Sequence, residues 1–300
     1  MRGALALLLL LAGCASGPEL RVGVESERLC AAPEGRAAIL PPLSPPAAVQ
    51  AAAARMDVPV LAAQMADTLG ILPQLEALRA PPRRSMAEEM VRLRLRQTVQ
   101  ARLMQGMLEA AGTMAALDCE GERGDQLRGL LQAREDRRNR RLSIASIALG
   151  AATATVTGGL SIAGAATAAD IAAIAGGVGE ATAGAGLLVV REEAELTHRR
   201  NLLAEVVRPD GATQLPPLVR RHLMRERPDG PPLAARILAQ WEGGPLAEEE
   251  GGARRALILG EGGRYGVAEL SARDAMLDLL EAQVALMNRE LQLLLAALPD

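Results

Sequence analysis

Few side chains in this chain of 300 residues have the types and spacings that do chemistry. His198 and His222 are the only histidines, set in Glu195-Leu-Thr-His-Arg-Arg and Arg220-Arg-His. Neither pairs with a cysteine at local spacing, as a Cys–His nucleophile would require. Both fit surface positions on helices. The cysteines, Cys14, Cys30 and Cys119, are too scattered to build a metal site with two distant histidines. Adjacent carboxylates occur at Glu88-Glu89, Glu192-Glu193 and Glu248 to Glu250. Such pairs gain acid–base value only in a cleft that shifts their pKa values. All 33 basic residues are Arg, which excludes a P-loop lysine, a Schiff base and a Ser–Lys pair. There is no Gly-x-Ser-x-Gly elbow and no His-Glu-x-x-His. Gly260-Glu-Gly-Gly-Arg-Tyr is not a dinucleotide fingerprint; it reads as a hairpin turn, with a binding loop using Arg264 and Tyr265 as the alternative. The expectation is a non-enzyme with no cofactor, no metal and no evident small-molecule substrate.

Composition narrows the partners. The net charge of −3 and the lack of a basic surface with interleaved aromatics give no reason to expect nucleic acid. With 49% hydrophobic and 23% charged residues, the chain suits a folded core. Phe is absent and Trp241 and Tyr265 stand alone. The core must therefore be Leu, Ala, Val, Ile and Met, and Trp241 fits core packing.

The amino terminus reads MRGALALLLLLAGC. Arg2 is a short positive region, and Ala4 to Leu11 is too short to span a bilayer. Leu11-Ala12-Gly13-Cys14 resembles the lipobox of bacterial lipoproteins. The resemblance covers about fifteen residues. It implies a signal peptide over 1–13, cleavage before Cys14, and lipid (palmitate among its acyl chains) on Cys14. Ala15, in place of an Asp, implies the outer membrane, facing the periplasm. In that oxidising compartment Cys30 and Cys119 suggest one disulfide, two separate buried thiols being the alternative.

Residues 14–47 read as a lipidated, Pro-rich tether, in which Leu20–Glu25 can add one strand. A helical domain is expected over 48–300. Short helices are expected over 47–56 and 58–79, with Pro73 breaking the second. Ser85 and Glu88 form a capping box. Val91, Leu95, Val99, Leu103 and Met107 make an i,i+4 row, with Met90, Leu93, Met104 and Leu108 beside it, on a helix over 86–117. Core filling is the reading of those methionines. Asp118 to Gly124 reads as a turn, followed by an antiparallel helix over 125–157. Past Gly176–Gly179 a helix is expected over about 180–207. Residues 256–268 read as a small β-hairpin. The last helix starts at Ser271 with Leu277, Leu280, Val284, Met287, Leu291 and Leu294 on one face.

The chain is organised around 142–190, where only Asp170 and Glu180 are charged. From Leu142 to Ala169 there is no charge for 28 residues, long enough to span a bilayer. Gly150, Ala154 and Gly158 form one row of small residues at four-residue spacing, and Gly164, Ala168, Ala172 and Gly176 another. Such rows let helix backbones approach closely, in water or in membrane. Gly158-Gly159 is expected to break the helix. One expectation is a hairpin buried in the bundle; the alternative is one that inserts in a bilayer. The stretch is similar in style to glycine-zipper outer-membrane lipoproteins, and the layout resembles α-helical pore-forming toxins, which hold an apolar hairpin between long helices.

These readings give a mainly α fold: an elongated helical bundle with a central Ala/Gly-rich helical hairpin and one small β-hairpin. The expected function is a non-enzymatic, outer-membrane-anchored lipoprotein. It would be a structural or interaction component of the envelope, held to the membrane by its lipid and meeting an unknown envelope protein or its own copies. The alternative is a membrane-active protein whose hairpin inserts and oligomerises.

Overall fold

The computed structural model describes residues 20–22, 30, 40–81, 85–189, 191–208, 214–247 and 252–299. The expected signal peptide and Cys14 lie outside the described residues. The chain divides into two compact units. Met1–Val22, Gln126–Leu196 and Arg264–Leu270 make a hairpin unit; Gly23–Asp125, Thr197–Gly263 and Ser271–Asp300 make a bundle unit. The fold is mainly α.

The bundle unit begins with α1 (Pro46–Met56), α2 (Val60–Thr68) and α3 (Leu72–Arg79). Pro46 and Pro73 sit in the first turns of α1 and α3, where no helical N–H bond is lost. Ala52, Ala53, Ala62, Ala63 and Ala66 are buried, so these short helices meet through small side chains. A long helix, α4 (Met86–Ile162), follows. In its bundle half Val99, Leu103, Ala110, Thr113 and Leu117 are buried at coiled-coil spacing. Gly106 completes that face: a Cβ there would lie 2.9 Å from Leu69 Cδ2. The final helix, α10 (Val267–Ala296), buries the face expected of it, Leu277 through Leu294. Between them lie α6 (Leu202–Val207), α7 (Pro217–Met224), α8 (Leu233–Glu242) and α9 (Ala253–Leu259). Trp241 on α8 is fully buried.

The turn expected at Asp118–Gly124 is helix. Each glycine there costs a helix about 1 kcal/mol relative to Ala, but a disulfide and an arginine from α10 hold the segment. Cys119 is bonded to Cys30, with Cα atoms 5.4 Å apart. The buried Glu120 carboxylate accepts from Arg123 at 2.6 Å and from Arg273 at 2.9 Å.

In the hairpin unit α4 runs through Gly158-Gly159 and ends at Ile162. Gly164, at φ +78°, makes the turn, and the Ala165 N–H donates to the Leu160 carbonyl at 3.0 Å. α5 (Ala166–Val189) returns, helical through Gly176-Gly177 as well. The helix expected over 180–207 stops at Val189, and β2 (Ala194–Thr197) follows. β1 (Leu20–Val22) pairs with β2 in parallel, Leu20 opposite Ala194 and Val22 opposite Leu196. β3 (Gly262–Tyr265) completes a sheet of order β1-β2-β3.

One further expectation changes. The first arm of the proposed β-hairpin is helix α9; Ala256-Leu-Ile-Leu259 is a continuous apolar run, which short-range pattern alone cannot assign. Among the described residues of 14–47 the chain is held at three points, two of them the strand and the disulfide expected there. Leu20–Val22 is a strand, Cys30 is bonded, and Ser44 donates to Asp67 through its N–H and through its hydroxyl at 2.7 Å.

Candidate functional site

Among the described residues the hairpin of α4 and α5 is an uncovered apolar feature. An 18-residue window of α4 is apolar and long enough to cross a membrane, and none of it is buried in the protein. The expectation that the bundle buries this hairpin does not hold. Ile162 is 92% exposed, Ile147 73%, Ile174 69% and Ile171 64%. Ile144 and Val156 are more than half exposed as well. Soluble chains rarely display so many contiguous large apolar side chains without a covering partner.

The two arms touch closely at one point. A Cβ on Gly176 would overlap the Thr153 side chain. Of the other small residues, Gly158 and Gly164 have open space around the position of a Cβ. Gly150 and Ala172 are half-buried, and Ala154 and Ala168 are exposed. Gly176 is therefore the member that seats the arms together, while the faces bearing Gly158 and Ala168 point outward.

Four hydroxyls of the α4 arm are bonded within the helix. Thr153, Thr155, Thr157 and Ser161 donate their hydroxyls to the carbonyls of Leu149, Ala151, Thr153 and Thr157, at 2.6–2.9 Å. This pattern leaves these hydroxyl protons without need of water. At the base of the hairpin Arg138 Nη1 lies 3.2 Å from Glu192 Oε1, and the Glu192 N–H donates to Glu135 Oε1 at 3.4 Å.

Neither histidine is on a helix surface. His198 follows β2, is buried, and lines a cleft of about 650 Å³ with Arg199, Asn201, Glu205, Arg208 and Glu261. Burial, then the charges of Arg273 and Arg123, lower its pKa to about 3. A base that weak is poorly matched to proton transfer near neutrality. The other polar groups here tie the chain together. Asn201 donates to the Ile258 and Gly260 carbonyls and caps α6 through Ala204 N–H. Glu205 accepts from the N–H groups of Gln214 and Leu215.

His222 on α7 is also buried, and burial followed by Arg227 and Arg225 lowers its pKa to about 3. Its Nδ1 is 3.7 Å from Glu290 Oε2, and Glu290 is held by Arg227 at 2.8 Å. Beside it, Arg225 reaches Asp67 at 3.3 Å, Thr68 Oγ1 at 2.6 Å and the Gln64 carbonyl. Arg221 donates to the carbonyls of Asp67 and Pro41. The buried Arg225 and the half-buried Arg221 staple α7 to α2 and to the segment before α1. Among the described residues no cluster of three or more His, Cys, Asp or Glu could hold a metal.

A second apolar stripe lies on the bundle half of α4. Met86, Met90, Leu93, Met104, Met107 and Leu108 are about half to three-quarters exposed. The row expected to fill the core is split: Val99 and Leu103 are buried, while Val91 and Met107 are exposed. The uncovered methionines correct the core-filling reading.

The chain matches no protein-family model, no curated protein and no solved structure.

Proposed function

We propose that this chain is a non-enzymatic lipoprotein of the bacterial outer membrane, anchored through Cys14, whose α4–α5 hairpin inserts into a bilayer. The observation that carries the reading is the wholly uncovered apolar window of α4. Each large apolar side chain moved out of water contributes about 1.5–3 kcal/mol. The back-bonded hydroxyls lower the cost of taking Thr153, Thr155, Thr157 and Ser161 into hydrocarbon. From Arg141 to Ile162 the helix rises about 31 Å at 1.5 Å per residue, close to the ~30 Å of a bilayer core. Small outward faces around Gly158 and Ala168 then favour packing between hairpins within the membrane.

The test uses the mature chain, residues 14–300, with Cys14→Ser so that no lipid is attached. Flotation with vesicles and release of a trapped dye report insertion. Binding and release are expected from this chain; a protein that stays wholly in the aqueous fraction overturns the reading. Palmitate-analogue labelling lost in Cys14→Ser tests the anchor.

A second reading, a component that docks another envelope protein, draws on the exposed methionines of α4. Methionine adapts to varied partner surfaces.

A further inference from the structure

We infer that the base of the hairpin is a collar of arginines that selects anionic phospholipid headgroups. The inference rests on the insertion reading above and adds the class of lipid.

Both arms reach the same level at their base. From the contact of Gly176 with Thr153, twelve residues lead back along α4 to Arg141 and thirteen lead on along α5 to Val189. At 1.5 Å per residue these descents are about 18 and 20 Å. The 3.2 Å approach of Arg138 to Glu192 marks the same junction. Arg137, Arg140 and Arg141 lie immediately before the uncharged run, Arg191 lies just after α5, and all four are exposed.

The charges are layered. Between Leu142 and Glu135-Asp136 the α4 base carries only Arg137, Arg138, Asn139, Arg140 and Arg141. Asp136 adjoins Arg137 and lies one turn before Arg140, while Arg141 stands about 8 Å further along the axis. The Glu135 carboxylate accepts from the Glu192 N–H, and the Glu192 carboxylate accepts from Arg138. On α4 the polar layer next to the apolar surface is therefore guanidinium; on the α5 side Arg191 comes first and is followed by Glu192 and the exposed Glu193. With 142–162 in hydrocarbon, that layer meets the headgroups. A guanidinium pairs with phosphate through parallel hydrogen bonds. A soluble acidic partner would satisfy the arginines and leave the adjoining isoleucines in water. Lipid is the occupant that covers both.

Each basic side chain near an anionic leaflet raises binding about fivefold, so three give about 100-fold. The experiment measures flotation of the mature Cys14→Ser chain with vesicles of phosphatidylcholine alone and with vesicles rich in phosphatidylglycerol. The expected result is a strong preference for the anionic vesicles that weakens with salt. Arg137→Gln/Arg140→Gln/Arg141→Gln lowers it by about 100-fold, and the triple Lys variant retains it. Circular dichroism of each variant confirms the helices. Phosphate buffer and chloride at matched ionic strength give the same preference when the lipid surface, not free phosphate, is recognised; selective competition by phosphate overturns the lipid assignment. Equal binding to both vesicle types, or a preference unchanged in the Gln variant, overturns the collar and leaves insertion standing. Binding to neither vesicle overturns insertion itself.

Discussion

Replacing two isoleucines separates a bilayer-facing hairpin from a protein-covered one. Ile147 and Ile174 are 73% and 69% exposed, one on each arm. Full burial of such a side chain contributes about 1.5–3 kcal/mol, so transferring roughly 70% of each contributes about 1–2 kcal/mol. The double variant Ile147→Gln/Ile174→Gln therefore loses about 2–4 kcal/mol of transfer energy, a fall of about 30- to 1,000-fold in vesicle partitioning. In water the same change is nearly silent. Gln is a good helix former, and surface substitutions stay within about 0.5 kcal/mol. The assay pairs flotation with a thermal melt followed by circular dichroism. A melt lowered by the equivalent of several kcal/mol, with partitioning unchanged, would mean that protein covers these side chains and would refute the reasoning.

The Cys30–Cys119 bond closes a loop of 89 residues, so its removal by Cys30→Ser/Cys119→Ser is expected to cost the bundle about 4–5 kcal/mol in the chain-entropy model. Urea unfolding followed by Trp241, the only tryptophan and fully buried, reads this as a lower midpoint; an unchanged midpoint would count against the loop argument. Gly176→Ala and Gly177→Ala should differ in sign: the first collides with Thr153 and costs about 1–3 kcal/mol, while the second meets nothing and gains up to about 1 kcal/mol. Thermal melts that rank them the other way would contradict the packing of the arms. Burial holds the pKa values of His198 and His222 near 3 in the folded chain, against about 6.5 for an imidazole in water. Below pH 6.5 the unfolded chain takes up protons that the native chain refuses, so stability falls with pH down to about 3. The slope is about 1.4 kcal/mol per pH unit for each histidine. Urea titrations between these limits should show it, and His222→Gln should remove about half; a stability that rises on acidification over this range would contradict the burial argument.

Local pattern carried much of this fold. The apolar stripe of α10 and the short helices broken by proline follow from 3.6-residue periodicity and the missing proline N–H. What local pattern missed depends on partners remote in the chain. Gly121 and Gly124 look like a turn until Cys30 and Arg273 are beside them. β2 has no visible partner nearby, because its mates are remote: β1 lies more than 170 residues earlier and β3 more than 60 later. The histidines looked superficial because their flanks are arginine. In this chain arginine is both solvent coat and buried staple, as Arg225 and Arg273 illustrate, and composition cannot tell the two apart. The hairpin was legible as apolar and helical. Its exposure was not, since small residues suit close contact with protein and with lipid alike.

The pairing of Leu20 with Ala194 has a consequence for how the molecule holds on. Cys14 and Leu20 are only six positions apart, a leash of at most about 22 Å when stretched. Ala194 is three residues past Arg191. With Cys14 acylated as proposed, the fatty chains enter the bilayer beside the foot of the hairpin. The second grip then becomes an intramolecular event, at an effective concentration on the order of millimolar. A hairpin too weak to hold a membrane alone need only stay where the anchor has already put it.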